Sequence, residues 1–411
     1  MIKTVEFKVL IYFFGKALTA LISLAIIPLF IKWFGEENYG NYIIIYVTFL
    51  IFVSGSIGWV NQSIIKYHGE YIDRKVFYGK AHSISFVMAL ISVVPLLIVV
   101  SLNIQEETIL LIFLIAIGYI SACIYTSKLI ETQAELKSLR FSIAEIIRLL
   151  GFVLCVVGLK TLSLFNVLET LFLSLFISYM SSYIYLVKSI KIKFISVDFS
   201  MVKKFLSFGL PLSIWMVFSP SANGIEKYIV KSYLGVIVLA QYAAVYDVIF
   251  KIFTQLVNPI NSVYQPLLMN IHSSGDKVLF KKTLKRGLIT LMLICLPFLG
   301  LLFYFQDFIL RKYLGFTDEN NIILLKKIVI PLAVSAIIWQ LAIILQKKLE
   351  ALEKTKILTL YIVIVVLLSS LCSIWLLPKY DFSILSYINL LASIVYLLLI
   401  YITNIFYSEK G

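Results

Sequence analysis

Charged residues are scarce in this chain of 411 residues: they make up 14% of it, whereas hydrophobic residues make up 61%. A soluble globular chain contains about 25% charged and about 45–50% apolar residues. The mean hydropathy of +0.98 over the whole length leaves no room for a soluble domain of any size. The composition therefore excludes an ordinary soluble protein and indicates a polytopic membrane protein.

Residues that usually build metal sites and disulfides are also few, with 4 cysteines and 3 histidines. The cysteines lie inside apolar stretches without paired spacing, so we expect neither disulfides nor a zinc knuckle. The histidines lie near the ends of apolar stretches, which argues against a buried metal or haem site. Because the sequence also lacks Walker A, HExxH and GxSxG motifs, we expect no cofactor and no enzymatic activity.

Long apolar stretches dominate the chain. A membrane-spanning helix needs about 20 apolar residues to cross about 30 Å of hydrocarbon. Twelve stretches meet this requirement: 9–31, 41–65, 83–103, 108–127, 141–159, 164–187, 205–225, 236–265, 287–305, 322–346, 357–377 and 383–406. The sequence therefore predicts an all-α integral membrane protein with twelve transmembrane helices and short loops.

The distribution of Lys and Arg predicts the orientation of these helices. With a cytoplasmic N-terminus, 24 of the 36 basic residues fall in cytoplasmic segments and 9 in external segments. Since cytoplasmic loops carry an excess of Lys and Arg, both termini are expected in the cytoplasm. The net charge of +14 follows from this topology, and we expect no nucleic-acid partner.

The chain also repeats itself with an offset of 200 residues. Four residues of the first half recur in the second, as Gly35/Gly235, Tyr42/Tyr242, Tyr46/Tyr246 and Asn61/Asn261. Six spans per half predict parallel repeats, as in transporters built from duplicated halves. We therefore predict an N-terminal six-helix bundle over 1–190, a cytoplasmic linker over 191–204, a C-terminal six-helix bundle over 205–411, and a central cleft between the bundles.

Several motifs carry a family resemblance. The stretch from Ile27 to Tyr42, Ile-Pro-Leu-Phe-Ile-Lys-Trp-Phe-Gly-Glu-Glu-Asn-Tyr-Gly-Asn-Tyr, resembles the first-loop signature of polysaccharide repeat-unit flippases. Phe208-Gly-Leu-Pro-Leu, Tyr233-Leu-Gly and Tyr242-Ala-Ala-Val-Tyr in the second half are similar to motifs of the same family. These proteins belong to the multidrug/oligosaccharidyl-lipid/polysaccharide exporter superfamily. Many relatives carry an acidic residue followed by Arg late in span seven, where this chain has Glu226-Lys227.

The resemblance implies a specific function. A family member translocates an undecaprenyl-diphosphate-linked oligosaccharide repeat unit to the outer leaflet by alternating access, for O-antigen or capsule synthesis. It implies a location in the bacterial cytoplasmic membrane, in contact with membrane lipids. Polymerase and chain-length proteins of the same pathway are the implied protein partners.

Ionisable residues inside the spans are candidates for the substrate site, because an isolated charge in a bilayer is costly. Lys16, Arg148 and Lys251 lie on three different helices and are the predicted ligands of the diphosphate, to which both residue types donate charge-assisted hydrogen bonds. Glu145 lies three residues before Arg148 and is expected to pair with it. Two alternatives stay open: Lys16 extends to the inner headgroups, and Glu145–Arg148 is a purely structural pair.

Span eight carries a stripe of polar residues at helical spacing. Asp247 and Lys251 are four residues apart, and the same face continues through Gln255, Asn258 and Asn261. The corresponding face of span two carries Asn61. We predict that these residues line a hydrated pathway, with Asp247 or Glu145 as carriers in coupling to a proton or sodium gradient.

Three further interpretations are weighed. Glu226 and Lys227 near the outer end of span seven are interpreted as a solvated interfacial pair. A cation-coupled multidrug exporter of the same superfamily would need an acidic cavity, whereas this chain has three deep bases and two deep acids. A polysaccharide polymerase would need a large external loop, which this sequence lacks.

Overall fold

A computed structural model of the chain describes residues 2–68, 70–103, 108–135, 137–187, 198–218, 223–273, 275–352 and 354–409. Within these ranges the description excludes the side chains of 2–17, 20, 223, 259, 262–263, 265–266, 269–270, 273 and 407–409. In the described part the regular structure is entirely helical, as the apolar composition predicts.

The helices are α1 (Ile2–Tyr67), α2 (Arg74–Ser101), α3 (Ile109–Ala134), α4 (Ser138–Leu162), α5 (Val167–Val187), α6 (Phe199–Phe218), α7 (Asn223–Ser273), α8 (Lys277–Asp307), α9 (Glu319–Leu345), α10 (Lys347–Ala351), α11 (Thr355–Leu376) and α12 (Ile384–Glu409). A π-helical turn, Phe308–Tyr313, follows α8. Among the described residues, 11 helices are long and apolar enough to cross a membrane. The first of these, α1, supplies two of the predicted spans because it is bent at Gly35.

The backbone at Gly35 and Gly235 is the same. Gly35 has φ 81° and ψ 164°, and Gly235 has φ 83° and ψ 175°. This region of backbone conformation is accessible almost only to glycine, so each glycine lets two helical arms join at a sharp bend. The shared conformation, 200 residues apart, supports the internal repeat at the level of the backbone.

Helix packing follows the same repeat. In the first half α3 packs against α2 and α5, and α4 packs against α5. In the second half α9 packs against α8 and α12, and α11 packs against α12. The third span of each half, α2 or α8, also begins with an aspartate cap, Asp73 or Asp276, whose carboxylate accepts backbone N–H groups of the first turn.

Contacts divide the chain into two compact units. The first unit comprises residues 1–26 and 37–224, and the second comprises 27–36 and 225–411. This division differs from the boundary predicted at residues 190–205, since α6 packs with the first unit. Half of the predicted linker 191–204, namely 191–197, lies outside the described residues.

Close backbone contact explains why α6 belongs to the first unit. A Cβ added at Gly209 of α6 would lie 2.1 Å from the carbonyl oxygen of Trp59. One turn further on, the Ser213 hydroxyl donates to the carbonyl oxygen of Ser54 at 2.7 Å. Small residues that allow such approach, together with interhelical hydrogen bonds, are the usual means of helix association in membranes.

Candidate functional site

The predicted pair of Glu145 and Arg148 forms within the first unit. Arg148 donates from Nε to Glu145 Oε1 and from Nη2 to Oε2, both at 3.2 Å. The hydroxyl of Tyr125, on α3, donates to Glu145 Oε1 at 2.5 Å. The side chains of Arg148 and Glu145 are 16% and 23% exposed, so the pair is largely removed from solvent.

Aromatic rings surround this pair. The guanidinium carbon of Arg148 lies 5.6 Å from the centroid of the Tyr179 ring, on α5. Ring contacts connect Tyr179 to Tyr125 and Phe49, and Phe49 to Tyr46. We call Phe49, Tyr46, Tyr125 and Tyr179 the aromatic cluster. A guanidinium held over an aromatic face keeps its hydrogen-bond donors in one plane, which suits bidentate recognition of a phosphate or carboxylate.

A second charged network lies within the second unit. Lys227 Nζ donates to Asp247 Oδ1 at 3.0 Å, and the Lys227 side chain is only 4% exposed. The neighbouring Glu226 accepts hydrogen bonds from the Tyr242 hydroxyl at 2.9 Å and from Asn389 Nδ2 at 2.8 Å. Each buried carboxylate therefore has a donor, as buried charges require.

The interpretation of Glu226 and Lys227 as a solvated interfacial pair is wrong. Both residues are buried, because Tyr242 and Asp247 from the second arm of α7 and Asn389 from α12 cover the start of α7. Glu226 and Lys227 do not pair with each other; each has its own partner. The charge pattern of adjacent acid and base does not predict this arrangement.

Asp247 and Lys251 do not form the ion pair that their spacing suggests. The carboxylate of Asp247 forms its ion pair with Lys227. Lys251 is half-buried, and its ammonium forms no ion pair or hydrogen bond with the residues that the structure describes. Asp247 attracts this ammonium without a direct contact, so the hydrogen-bond donors of Lys251 stay available to an anionic ligand as far as the described residues are concerned.

The polar stripe beyond Lys251 contains both paired and unpaired groups. Asn258 Nδ2 donates to Gln255 Oε1 at 3.3 Å, so these two predicted residues meet. The Oδ1 atoms of Asn61 and Asn261 are buried and have no hydrogen-bond partner among the described residues. Each of these repeat-related asparagines, one in each unit, therefore has a side-chain oxygen that accepts no hydrogen bond from the described residues.

The side chain of Lys16 lies outside the described residues, so only its place in α1 is given. Arg148 belongs to the first unit and Lys251 to the second. The joint contact of Lys16, Arg148 and Lys251 with one diphosphate therefore stays a prediction.

Sequence reasoning missed several groups that surround these residues. Tyr125 and Tyr179 contact the Glu145–Arg148 pair from neighbouring helices. The spacing of residues within α4 does not predict these contacts. In the first unit it also missed a network in which His82 Nε2 lies 2.5 Å from Glu131 Oε2 while Lys128 contacts Oε1 of the same carboxylate. Within the described ranges, no three His, Cys, Asp or Glu side chains are placed to hold a metal ion.

The fold matches solved structures of membrane transporters. An inward-facing multidrug resistance MATE family transporter of the MOP superfamily aligns with a TM-score of 0.75 at 12% identity, covering 94% of each chain. A MOP superfamily transporter from Pyrococcus furiosus aligns with a TM-score of 0.72 at 11% identity, covering 96% of this chain and 94% of that one. The lipid II flippase MurJ aligns with a TM-score of 0.70 at 16% identity, covering 98% and 88%. The chain therefore has the fold of MOP superfamily transporters.

The sequence identifies the family within this fold. A family described as polysaccharide biosynthesis proteins matches residues 7–272, which is more than half of the chain. The protein belongs to this polysaccharide biosynthesis family, and the resemblance drawn from its motifs is confirmed at that level. None of the curated protein sequences matches the chain.

Proposed function

We propose that this protein is a flippase that moves an undecaprenyl-diphosphate-linked oligosaccharide repeat unit from the cytoplasmic to the outer leaflet of the bacterial cytoplasmic membrane. The Arg148 site of the first unit carries the proposal: a guanidinium removed from solvent, held by one carboxylate and flanked by aromatic rings. Membership of the polysaccharide biosynthesis family supports a glycan-bearing substrate.

The chemistry of this site suits a diphosphate. Glu145 keeps Arg148 charged and oriented in the absence of substrate, and a phosphate presents oxygens with the same planar spacing as the carboxylate. When the diphosphate replaces Glu145 on Arg148, the Tyr125 hydroxyl still donates to the released carboxylate. The aromatic cluster offers flat apolar faces on which sugar rings can pack.

Lys251 supplies a second cation for the same anion. Its ammonium forms no ion pair or hydrogen bond in the described part of the chain, whereas Lys227 pairs directly with Asp247. Lys16 of α1 completes the proposed set of ligands. Alternating access would expose these groups to each leaflet in turn, with Glu145 or Asp247 as the carriers of a coupled proton or sodium ion.

The same proposal includes the type of polysaccharide that is made and the proteins that act on the translocated unit. The repeat unit would serve O-antigen or capsule synthesis, and a polymerase with its chain-length protein would take the unit on the outer leaflet. The chain contacts membrane lipids along its exposed helix faces. These assignments rest on the family and on the charges of the site.

The test is the leaflet distribution of lipid-linked saccharides in a strain that lacks the gene. An impermeant sugar-modifying enzyme applied to spheroplasts modifies only units on the outer leaflet. We expect single repeat units to accumulate unmodified, and complementation with the wild-type chain to restore modification. Accumulation of single units on the outer leaflet would instead mean a polymerase. Normal glycan with altered drug tolerance would mean a multidrug exporter.

A further inference from the structure

The N-terminal part of α8 carries an unusual concentration of positive charge. Five basic residues occur within ten positions, and the preceding Asp276 is the only acidic residue beside them. We call them the basic face of α8: Lys277, Lys281, Lys282, Lys285 and Arg286. All five are exposed, and none forms an ion pair with a residue that the structure describes.

Several basic residues on the same predicted side of the first unit form ion pairs within that unit. Lys80 pairs with Asp198 at 2.6 Å, and Lys204 pairs with Glu70 at 2.7 Å. Lys137 likewise pairs with Glu135 at 2.5 Å. The basic face of α8 therefore differs from these lysines in that its charge is left for a partner outside the protein.

The basic face continues into an exposed aliphatic face of the same helix. Lys281 and Lys285 are followed at helical spacing by Ile289, Leu293 and Leu296, which are 48%, 69% and 51% exposed. Exposed aliphatic side chains along a membrane-spanning helix face acyl chains. The lysines at the end of the same face are thus directed towards the headgroups of the lipids whose tails contact α8.

The opposite face of the same segment is fixed to the protein. Phe280 is buried in a small cluster with Leu268 and Ile271. A Cβ added at Gly287 would lie 3.0 Å from the Tyr264 ring, which shows how closely this face packs. The basic face is therefore held in one orientation by the packing of its own helix.

The length of α8 places the charges at headgroup depth. The helix has 31 residues. At about 1.5 Å per residue it is about 46 Å long, against about 30 Å of hydrocarbon. Since the apolar part begins at Gly287, the first turns extend into the headgroup region on the side that the charge distribution assigns to the cytoplasm.

We propose that the basic face of α8 binds the phosphate groups of anionic phospholipids in the cytoplasmic leaflet. The ligand is the phosphodiester of a lipid such as phosphatidylglycerol, whose tails lie against Ile289 and Leu293. A dissolved phosphate offers the same charge but cannot use the apolar continuation of the face. This site is separate from the Arg148 site, and it stands whether or not the proposed function holds.

The experiment measures lipid selectivity of the full-length protein in nanodiscs that contain phosphatidylcholine. Spin-labelled phosphatidylglycerol and spin-labelled phosphatidylcholine are compared by electron paramagnetic resonance, which reports the fraction of probe held at the protein surface. We expect the wild type to prefer phosphatidylglycerol, with a preference that weakens as salt is raised. In the double variant Lys281→Gln/Lys285→Gln the relative association constant should fall about tenfold, because each surface cation attracts anionic lipid.

The matched control removes the same amount of charge elsewhere. Lys75→Gln/Lys203→Gln changes two exposed lysines of the first unit that belong to the same predicted cytoplasmic side. This variant should keep the preference for phosphatidylglycerol. Equal retention of both probes by the wild type, or an equal loss in the control, would overturn the proposal. So would abolition of the preference by millimolar inorganic phosphate at constant ionic strength, which would indicate a site for dissolved phosphate.

Discussion

The two bent helices α1 and α7 have the same backbone conformation at the bend, but their side chains make different contacts after it. Gly35 and Gly235 have nearly the same dihedral angles, and each is followed by two tyrosines at the same spacing. In α1 the ring of Tyr42 stacks on Tyr46 of the aromatic cluster, with the two ring centroids 5.4 Å apart. In α7 the rings of Tyr242 and Tyr246 are tilted, with centroids 6.1 Å apart, and the hydroxyl of Tyr242 donates to buried Glu226.

This difference shows what duplication preserves and what it leaves free. The bend depends on a conformation that only glycine adopts at low cost, so it is common to both copies. The side chains that follow each bend also depend on neighbouring helices, which bring Arg148 of α4 and Tyr179 of α5 near the second arm of α1, and Asn389 of α12 onto Glu226 of α7. The first unit thereby offers a cation on an aromatic surface, and the second offers a neutralised charge network and Lys251, which forms no ion pair with the described residues.

The largest expected effect concerns the close contact that fixes α6 to the first unit. Gly209→Val should destabilise the protein by about 3 kcal/mol or more, because a side chain there meets the Trp59 carbonyl and the helices must separate. The measurement is unfolding in detergent by SDS titration. Gly158→Ala is the control, since a Cβ at Gly158 meets nothing within 4 Å. Equal stability of the two variants would mean that α6 does not pack as described.

The charge network of the second unit gives the next effect. Lys227→Met should cost about 3 kcal/mol, because it leaves the Asp247 carboxylate without its partner. Lys251→Met should cost much less, since Lys251 has no ion pair in the described part of the chain. The double variant Lys227→Met/Asp247→Leu should recover most of the loss. If Lys251→Met lowered stability more than Lys227→Met, Lys251 and not Lys227 would be the lysine that stabilises the fold.

The two bends should respond alike. Gly35→Ala and Gly235→Ala should each destabilise the protein by about 1–3 kcal/mol, because alanine is strained at these positive φ angles. Neither position has an atom within 4 Å of an added Cβ, so the cost reports the backbone alone. Gly300→Ala, which also meets nothing within 4 Å but lies in regular helix, is the control. A large difference between the two bends, measured by the same unfolding titration, would contradict their equivalence.

The smallest effects are expected at the repeat-related asparagines. Asn61→Leu and Asn261→Leu should change the free energy of unfolding by less than about 1 kcal/mol, because each removes a buried oxygen that has no partner in the described structure. Transport measured on the same variants separates stability from function. A loss of more than about 2 kcal/mol in either variant would show that its oxygen is hydrogen-bonded.

Local features of this protein could be read from its sequence, and long-range features could not. The pairing of Glu145 with Arg148 follows from a spacing of three residues on one helix. The recurrence of Gly35 as Gly235 is also visible in the sequence, whereas the bend at each of them is known only from the structure. By contrast, the burial of Glu226 depends on Asn389, which lies 163 residues further along the chain.

The membership of α6 in the first unit is another long-range feature. It depends on how Gly209 meets the backbone of Trp59, and a single glycine in an apolar helix carries no signal of its partner. The same holds for Tyr179, whose ring lies beneath Arg148 only because α4 and α5 pack side by side. Pairwise spacing within one helix predicts neighbours on that helix and nothing about the facing one.

The central claim is that Arg148 holds the diphosphate of the transported lipid. The most direct test is the leaflet assay in cells that express Arg148→Ala at the wild-type level, with Lys203→Ala as a control that removes an exposed cation. The account predicts that repeat units stay on the cytoplasmic leaflet with Arg148→Ala and reach the outer leaflet with Lys203→Ala. Repeat units that reach the outer leaflet at the wild-type rate with Arg148→Ala would contradict it.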